Sequence, residues 1–142
     1  MSRSLEQLAD DLYEISLHLK FVGNEWQASE YRKARDSVRR ADVLPPDPAQ
    51  LDNVGETIRK DIAEWQASGS IERLEDMRDE RPWLSNLTRV DGIGPETAHL
   101  INTEKSVSTV DELLAVDDLT SVHGIGRATA EKIQRNAKAL SR

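Results

Sequence analysis

The sequence contains no cysteine, few aromatic residues and no apolar run long enough to cross a bilayer. Phe, Trp and Tyr make up 4% of the 142 residues. The absence of cysteine excludes disulfide bonds and thiolate metal ligands. The first residues, Met1 to Glu6, lack the apolar core of a signal peptide. We therefore expect an intracellular, cytoplasmic protein that does not span a membrane.

Acidic residues outnumber basic residues, 26 against 19, which gives a net charge of −7 at pH 7. Most nucleic-acid-binding proteins carry a basic footprint, so the overall charge disfavours that class. Segment 123–142 has the opposite balance, because it holds five basic residues (Arg127, Lys132, Arg135, Lys138 and Arg142) against Glu131. This segment is predicted to form a locally basic surface on an acidic chain.

Apolar residues recur at spacings of three and four, which is typical of amphipathic helices. No stretch alternates with period two, so the predicted fold class is all-α. Residues 1–81 are predicted to form a four-helix unit, and residues 82–142 a second unit of shorter helices. The first expected helix runs from 5 to 22, with one apolar face formed by Leu5, Leu8, Leu12, Ile15, Leu19 and Val22. The second runs from 25 to 41 and is ended by the proline-rich segment 45–48, with inward-facing residues Trp26, Tyr31, Ala34 and Val38. The third contains Val54, Ile58, Ile62 and Trp65 and ends at Gly69, and the fourth contains Ile71, Leu74 and Met77 and ends before Pro82. Ser4 and Gln7 are predicted to form a capping box at the first start.

Glycine turns interrupt the helical pattern three times. The first hairpin reads Leu51-Asp-Asn-Val-Gly-Glu-Thr-Ile58, the second Val90-Asp-Gly-Ile-Gly-Pro-Glu-Thr-Ala98 and the third Val122-His-Gly-Ile-Gly-Arg-Ala-Thr-Ala130, with Gly92 and Gly124 32 residues apart. A glycine turn that opens into a helix exposes backbone N–H groups at the positive end of the helix dipole, which favours phosphate. A single copy could equally serve close helix crossing. The near-identical second copy favours phosphate binding.

The side chains beside each hairpin rank the three sites. His123 and Arg127 favour an anion at the third hairpin, whereas Asp91 and Glu96 oppose one at the second. The first hairpin has Asn53 in place of the leading glycine and is flanked by acids. The predicted phosphate-binding residues are Gly92, Ile93, Gly94 and Glu96 with Arg89, and Gly124, Ile125, Gly126, Arg127 and Ala128 with Lys132 and Arg135.

Several stretches, in order and at family spacing, resemble the N-terminal region of family X DNA polymerases, the DNA polymerase beta-like enzymes. They are Glu30-Tyr-Arg-Lys-Ala34, the first hairpin, 67–75 and 87–95, while 122–133 is similar to a further hairpin of bacterial members. The resemblance implies a lyase-like helical bundle followed by tandem helix-hairpin-helix motifs, and it implies DNA as a partner. It also makes the turn carbonyls at Val90 and Gly92 a candidate site for a monovalent cation.

The departures from the family concern chemistry. Family members continue into a palm domain with catalytic carboxylates, whereas this sequence ends at Arg142, so we expect no polymerase activity. Their lyase reaction uses a lysine that forms a Schiff base, three residues beyond the Ile of the first hairpin, where this sequence has Asp61. A supporting lysine is replaced by Thr57, and Lys60 points about 100° away along the helix. We therefore expect no enzyme activity, no cofactor and no metal cluster.

The remaining histidines and tryptophans have ordinary structural interpretations. His18 and His99 are expected at the surface, and Trp26, Trp65 and Trp83 in packing rather than base stacking. The leading functional hypothesis is a non-enzymatic DNA-binding module, with weak affinity and little sequence preference, nucleoid-associated when bound to DNA. The first alternative is a protein-interaction adaptor or inhibitor, which would use acidic faces at 47–64 and 72–80 to bind a basic partner or to block a DNA repair or replication protein. The second alternative is a residual lyase that uses another amine.

Overall fold

The structure is a computed structural model that describes residues 4–41, 43, 51 and 54–141. All regular secondary structure in these ranges is helical, which confirms the predicted fold class. The chain divides into two compact units, which we call unit 1 (Met1–Asp79) and unit 2 (Glu80–Arg142). The predicted boundary at Arg81–Pro82 lies near this division.

In its described ranges unit 1 is built from α1 (Leu5–Phe21), α2 (Glu25–Arg40), α3 (Glu56–Ser68) and α4 (Glu72–Glu80). The last residue of α4, Glu80, is the first residue of unit 2. Unit 2 contains α5 (Pro82–Leu87), α6 (Pro95–Lys105), α7 (Val110–Leu114), a 3₁₀ turn (Leu119–Ser121) and α8 (Arg127–Leu140). None of the helices in the described ranges is long and apolar enough to cross a membrane.

Local capping explains where the helices of unit 1 begin and end. The Glu6 N–H donates to the Ser4 hydroxyl at 3.1 Å, so the Ser4 cap uses Glu6 rather than the predicted Gln7. The Gln27 N–H donates to the Asn24 side chain at 3.2 Å and starts α2. Gly69 ends α3 at φ 85°, a conformation that costs glycine little. The segment 45–48, predicted to stop α2, lies outside the described residues.

The core of unit 1 is apolar and draws on all four helices, with α1 packed along α2. Its members include Leu8, Leu12, Ile15 and Leu19 of α1; Ala28, Tyr31, Ala34 and Val38 of α2; Ile58, Ile62 and Trp65 of α3; and Leu74 and Met77 of α4. The predicted inward faces of α1, α3 and α4 therefore supply most of the buried side chains.

Three residues of unit 1 correct the sequence-based expectations. Trp26 is 76% exposed, because the five residues to Tyr31 turn the helix by roughly 500° and leave Trp26 on the far side. Val22 is 55% exposed, because it is the C-cap and lies past the last helical residue of α1. His18 is buried rather than at the surface, since α1 contacts both α2 and α4 and therefore buries a wide face.

A charged cluster joins α1 to α4. Arg78 donates two hydrogen bonds to Glu14, from Nε at 2.7 Å and from Nη2 at 2.8 Å. Asp11 lies 3.6 Å from the same guanidinium group. Burial raises the pKa of the Asp11 carboxyl to about 6, although the charge of Arg78 acts in the opposite direction. Ionisation of the Asp11 carboxyl at neutral pH therefore costs free energy in the folded chain.

Unit 2 has its own core, in which α5 packs on α6, and both α7 and the 3₁₀ turn pack on α8. Its buried side chains include Leu84, Leu87, Val90, Ile93, Ile101, Leu113, Leu119, Val122, Ile125, Ile133 and Ala137. A capping box between Thr109 and Glu112 starts α7. The Gln134 side chain donates to the carbonyls of Leu113 and Val116, at 3.4 and 3.3 Å, and so fixes the end of α7 on α8.

The other two tryptophans differ from Trp26. Trp65 is buried in the core of unit 1, as expected. Trp83 is partly buried, and its ring centroid lies 5.6 Å from that of His99. His99 is exposed, which confirms its predicted surface position.

Candidate nucleic-acid interface

The second and third hairpins have the same backbone structure. In the second, the Val90 N–H donates to the Leu87 carbonyl at 3.1 Å and the Ile93 N–H to the Val90 carbonyl at 3.0 Å. The third repeats both bonds 32 residues later, from Val122 to Leu119 at 3.0 Å and from Ile125 to Val122 at 3.1 Å. Gly92 and Gly124 sit at φ 102° and 82°, where side-chain-bearing residues are strained. The sequence repeat is therefore a structural repeat.

Each hairpin ends on a glycine that is the N-cap of a helix. Gly94 precedes α6 at φ −91°, ψ −179°, and Gly126 precedes α8 at φ −85°, ψ 175°. In the described part of unit 2, no side chain caps either of these helices. A Cβ added at Gly94 or Gly126 would meet nothing within 4 Å, so the N-terminal amides are sterically open. Unpaired amides at the positive end of a helix are suited to an anion.

The two helix starts differ in their number of donors. α6 begins with Pro95, which has no N–H, whereas α8 begins with Arg127, which has one. The third hairpin therefore offers one more backbone donor. This difference agrees in direction with the ranking made from the flanking charges.

Ile93 and Ile125 are buried residues of the hairpins, and the phosphate-contacting role predicted for them stays a prediction. Their side chains are 5% exposed and belong to the core. Their amides donate to the carbonyls of Val90 and Val122 and close the turns. The two isoleucines therefore anchor the hairpins.

The described part of the first hairpin shares its last step with the other two. Gly55 is the N-cap of α3 at φ −77°, ψ 173°, close to the conformations of Gly94 and Gly126. Asp52 and Asn53 lie outside the described residues. Glu56 occupies the first helical position, and its carboxylate lies 3.9 Å from Lys60 Nζ. An acid at this position opposes a phosphate.

The predicted basic residues do not form one patch. Lys132 lies against the second hairpin, since its Cε would be 3.8 Å from a Cβ on Gly92. Arg127 is exposed at the third hairpin, with Nε 3.5 Å from Glu131. Arg89 lines a cleft of about 300 Å³ with Leu140 and Ser141, at the C-terminal end of α8. The 14 residues of α8 span about 20 Å, so Arg127 and Arg89 lie at opposite ends of this helix.

A second cleft, of about 570 Å³, lies beside α8. Arg127, Arg135 and Lys138 line it together with Asp117 and Asp118. Arg127 and Arg135 therefore both have acidic neighbours, which partly offset their charges. Lys132 and Arg127 are the cations that lie at the hairpins themselves.

Two side chains that the sequence analysis did not single out, those of Glu104 and Asn136, contact the backbone of the hairpins. The His123 N–H donates to the Glu104 carboxylate, at 3.1 Å to Oε2 and 3.4 Å to Oε1. The Asn136 side-chain amide donates to the Asp91 carbonyl at 2.7 Å. The 32-residue repeat was the signal that could have found them, since it relates residue 104 to 136 and residue 91 to 123.

The described residues include no group of three or more His, Asp or Glu side chains arranged to hold a metal ion. The Val90 carbonyl, a candidate for a monovalent cation, already accepts the Ile93 N–H. The monovalent-cation site at Val90 and Gly92 stays a prediction.

The position expected for a lyase lysine lies inside unit 1. Asp61 is 8% exposed and accepts a hydrogen bond from the Tyr31 hydroxyl. Arg73 donates to the same hydroxyl at 2.8 Å. Burial raises the pKa of the Asp61 carboxyl, while the Tyr31 hydrogen bond and the Arg73 charge act to lower it. Lys60 is exposed on α3 and forms its ion pair with Glu56.

Comparison with known families identifies part of unit 2. Residues 84–139 match the family model described as a SAM-like helix-hairpin-helix tandem. Unit 2 carries a helix-hairpin-helix tandem. The match includes the second and third hairpins and the two side chains, Glu104 and Asn136, that contact them. No curated protein matches the chain.

Proposed function

We propose that the chain binds DNA through the phosphate backbone, using the second and third hairpins of unit 2. The observation that carries this proposal is the repeated, uncapped glycine start of α6 and α8 within a helix-hairpin-helix tandem. The contacts are the N-terminal amides after Gly94 and Gly126, with the charges of Arg127 and Lys132. Phosphate contacts position a protein without reading bases, so binding shows little sequence preference.

Alanine at the helix-starting glycines tests this proposal. Gly94→Ala and Gly126→Ala introduce no clash within 4 Å and keep an ordinary φ, so we expect both variants to fold. The added methyl group stands where a phosphate must approach the amides, so each variant should weaken duplex binding by roughly three- to tenfold. Fluorescence anisotropy titration of a labelled duplex at low salt measures this change.

Gly55→Ala is the matched control. Gly55 has a similar N-cap conformation and equally open surroundings, but it lies in the first hairpin. Its replacement should leave the affinity within about twofold of wild type. An equal loss in all three variants, or no wild-type binding at low salt, would contradict the proposal.

The chain acts without enzyme chemistry in this proposal. The position where family X polymerases carry their Schiff-base lysine is occupied by Asp61, which is buried and hydrogen-bonded to Tyr31. Incubation with an abasic duplex and borohydride should give no covalent adduct. A trapped adduct would establish a lyase that uses another amine. We also propose a role in DNA repair and membership of family X, which rest on the sequence resemblance. A cytoplasmic location, nucleoid-associated when the chain is bound to DNA, is part of the same proposal.

A protein-interaction adaptor is the second candidate. It is favoured by the outer face of α4, where Glu72, Glu75, Asp76 and Asp79 are all exposed. Such a face suits a basic protein partner. The double charge reversal Arg127→Glu with Lys132→Glu separates the two functions. If the variant loses both DNA binding and the cellular phenotype of the wild-type chain, the DNA-binding module is supported. If that cellular phenotype is unaltered, the adaptor is supported.

A further inference from the structure

The helix that follows each of these two hairpins is hydrogen-bonded to the backbone of the other hairpin: α6 to the third hairpin and α8 to the second. The two side chains that form these hydrogen bonds occupy equivalent positions in the repeat. Glu104 lies in the last turn of α6 and contacts the backbone of His123 in the third hairpin. Asn136 lies on α8 and contacts the backbone of Asp91 in the second hairpin. Both the holding residues and the held residues are related by the same 32-residue offset. Unit 2 therefore has two reciprocal contacts between its motifs.

The two contacts differ in charge. Asn136 is a neutral amide that donates to a carbonyl, at 2.7 Å. Glu104 is a carboxylate that accepts from an N–H, at 3.1 Å. The carboxylate places a negative charge at the hairpin whose helix start offers the larger number of backbone donors.

The position of Glu104 in α6 does not favour the helix itself. It lies in the last turn, where the helix dipole is negative and an acid is unfavourable. The backbone N–H of His123 is the partner that compensates this placement. Glu104 is therefore explained by its contact with the third hairpin rather than by helix stability.

Resting on the proposed function, we propose that Glu104 is a positioning residue that holds the third hairpin and, through its charge, limits the affinity of that hairpin for DNA phosphate. The Glu104 carboxylate and a phosphate bound at the third hairpin carry like charges, so they repel each other. Asn136 is the uncharged equivalent at the second hairpin. The two hairpins are thus held alike but biased differently toward an anion.

Glu104→Gln tests the electrostatic part. Glutamine keeps an oxygen that accepts the His123 N–H and removes the charge. The variant should bind a duplex roughly three- to tenfold more tightly than wild type at about 50 mM salt. The gain should shrink toward unity at about 300 mM salt, since exposed charges are screened. A purely structural effect would not depend on salt in this way.

Glu104→Ala tests the positioning part. This variant loses the charge and the acceptor together, so it should bind more weakly than the glutamine variant. Asn136→Ala should weaken binding relative to wild type, because it removes a holding contact without changing the charge. Thermal melting of each variant establishes that it is folded under the binding conditions.

Glu6→Gln is the control for net charge. Glu6 is exposed in the first turn of α1, in unit 1, and its replacement changes the charge by the same amount. A gain equal to that of Glu104→Gln would overturn the electrostatic role, and equal affinities of the alanine and glutamine variants would overturn the positioning role. A wild-type chain that binds no duplex at low salt would overturn the proposed function and this inference with it, whereas a binding wild type without these differences overturns the inference alone.

Discussion

At the scale of single residues, backbone conformation and burial decide more than residue type. Gly92 and Gly124 adopt a positive φ that a side chain would strain, whereas Gly94 and Gly126 adopt ordinary extended conformations. The first pair makes the turns possible, and the second pair leaves the helix starts open to a ligand. Two glycines in one motif thus have separable roles.

Asp11 gives a pH-dependent prediction at this scale. Its pKa is raised to about 6 in the folded chain, mainly by burial, from an ordinary value of 3.8. Between these values the folded state binds more protons than the unfolded state, so the contribution of Asp11 to stability falls as pH rises from about 4 to 6. Asp11→Asn cannot ionise. Relative to wild type, its free energy of unfolding should rise by about 1–2 kcal/mol between pH 4 and pH 7.5.

Urea unfolding at the two pH values measures that change. Asp10→Asn is the control, because its side chain is 64% exposed and lies next to Asp11 in the sequence. Its difference from wild type should change by less than about 0.5 kcal/mol over the same range. An equal change in both variants would show that burial of Asp11 is not the cause.

At the scale of elements, a polar chain joins three helices of unit 1. Tyr31 on α2 donates to Asp61 on α3 and accepts from Arg73 on α4. Arg73 also donates to Gln27 on α2, at 3.0 Å. Asp61 is thereby part of the packing between helices, which gives this residue a structural reason to be present.

Tyr31→Phe tests this connection. The change removes the hydroxyl that both Asp61 and Arg73 use and leaves a buried carboxyl group without that donor. The free energy of unfolding should fall by roughly 1–3 kcal/mol. Tyr13→Phe is the control, since Tyr13 is 38% exposed and should cost under about 0.5 kcal/mol. Similar losses in the two variants in thermal or urea unfolding would contradict the prediction.

At the scale of the whole molecule, the acidic surplus is concentrated in unit 1. Residues 1–79 contain 17 acidic and 11 basic side chains, whereas residues 80–142 contain 9 and 8. The unit that carries the hairpins is therefore close to neutral, and the net charge of −7 says little about the hairpins themselves. Sequence-wide charge is a poor guide to a two-unit chain.

The salt dependence of DNA binding follows from this distribution. Two hairpins with Arg127 and Lys132 should neutralise about two to four phosphates, so the slope of log affinity against log salt should lie between about −2 and −4. Anisotropy titrations over a range of salt concentrations measure the slope. Two duplexes of unrelated sequence should give the same slope and affinities within about threefold. A slope steeper than about −6, or strong preference for one duplex, would contradict phosphate binding by these two hairpins.

The helix positions could be predicted from the sequence because apolar spacing, glycine and proline are local signals. The starts at Leu5 and Glu25 agree with expectation. Trp26 and His18 were misplaced because burial depends on which other helices cover each face. The hydrogen bonds that the Ile93 and Ile125 amides donate inside the turns could not be predicted, because a motif does not show which of its amides the turn uses.

The sequence by itself determined an all-α chain with two equivalent glycine hairpins opening into helices, since both features depend on residues close together in the chain. Only the tertiary structure decided that Lys132 lies on the second hairpin, that Arg89 lies at the far end of α8, and that Glu104 and Asn136 hold opposite hairpins. These placements depend on packing between segments distant in sequence, which no local pattern encodes. The hairpins are local structures, but their charge and spacing are properties of the folded unit.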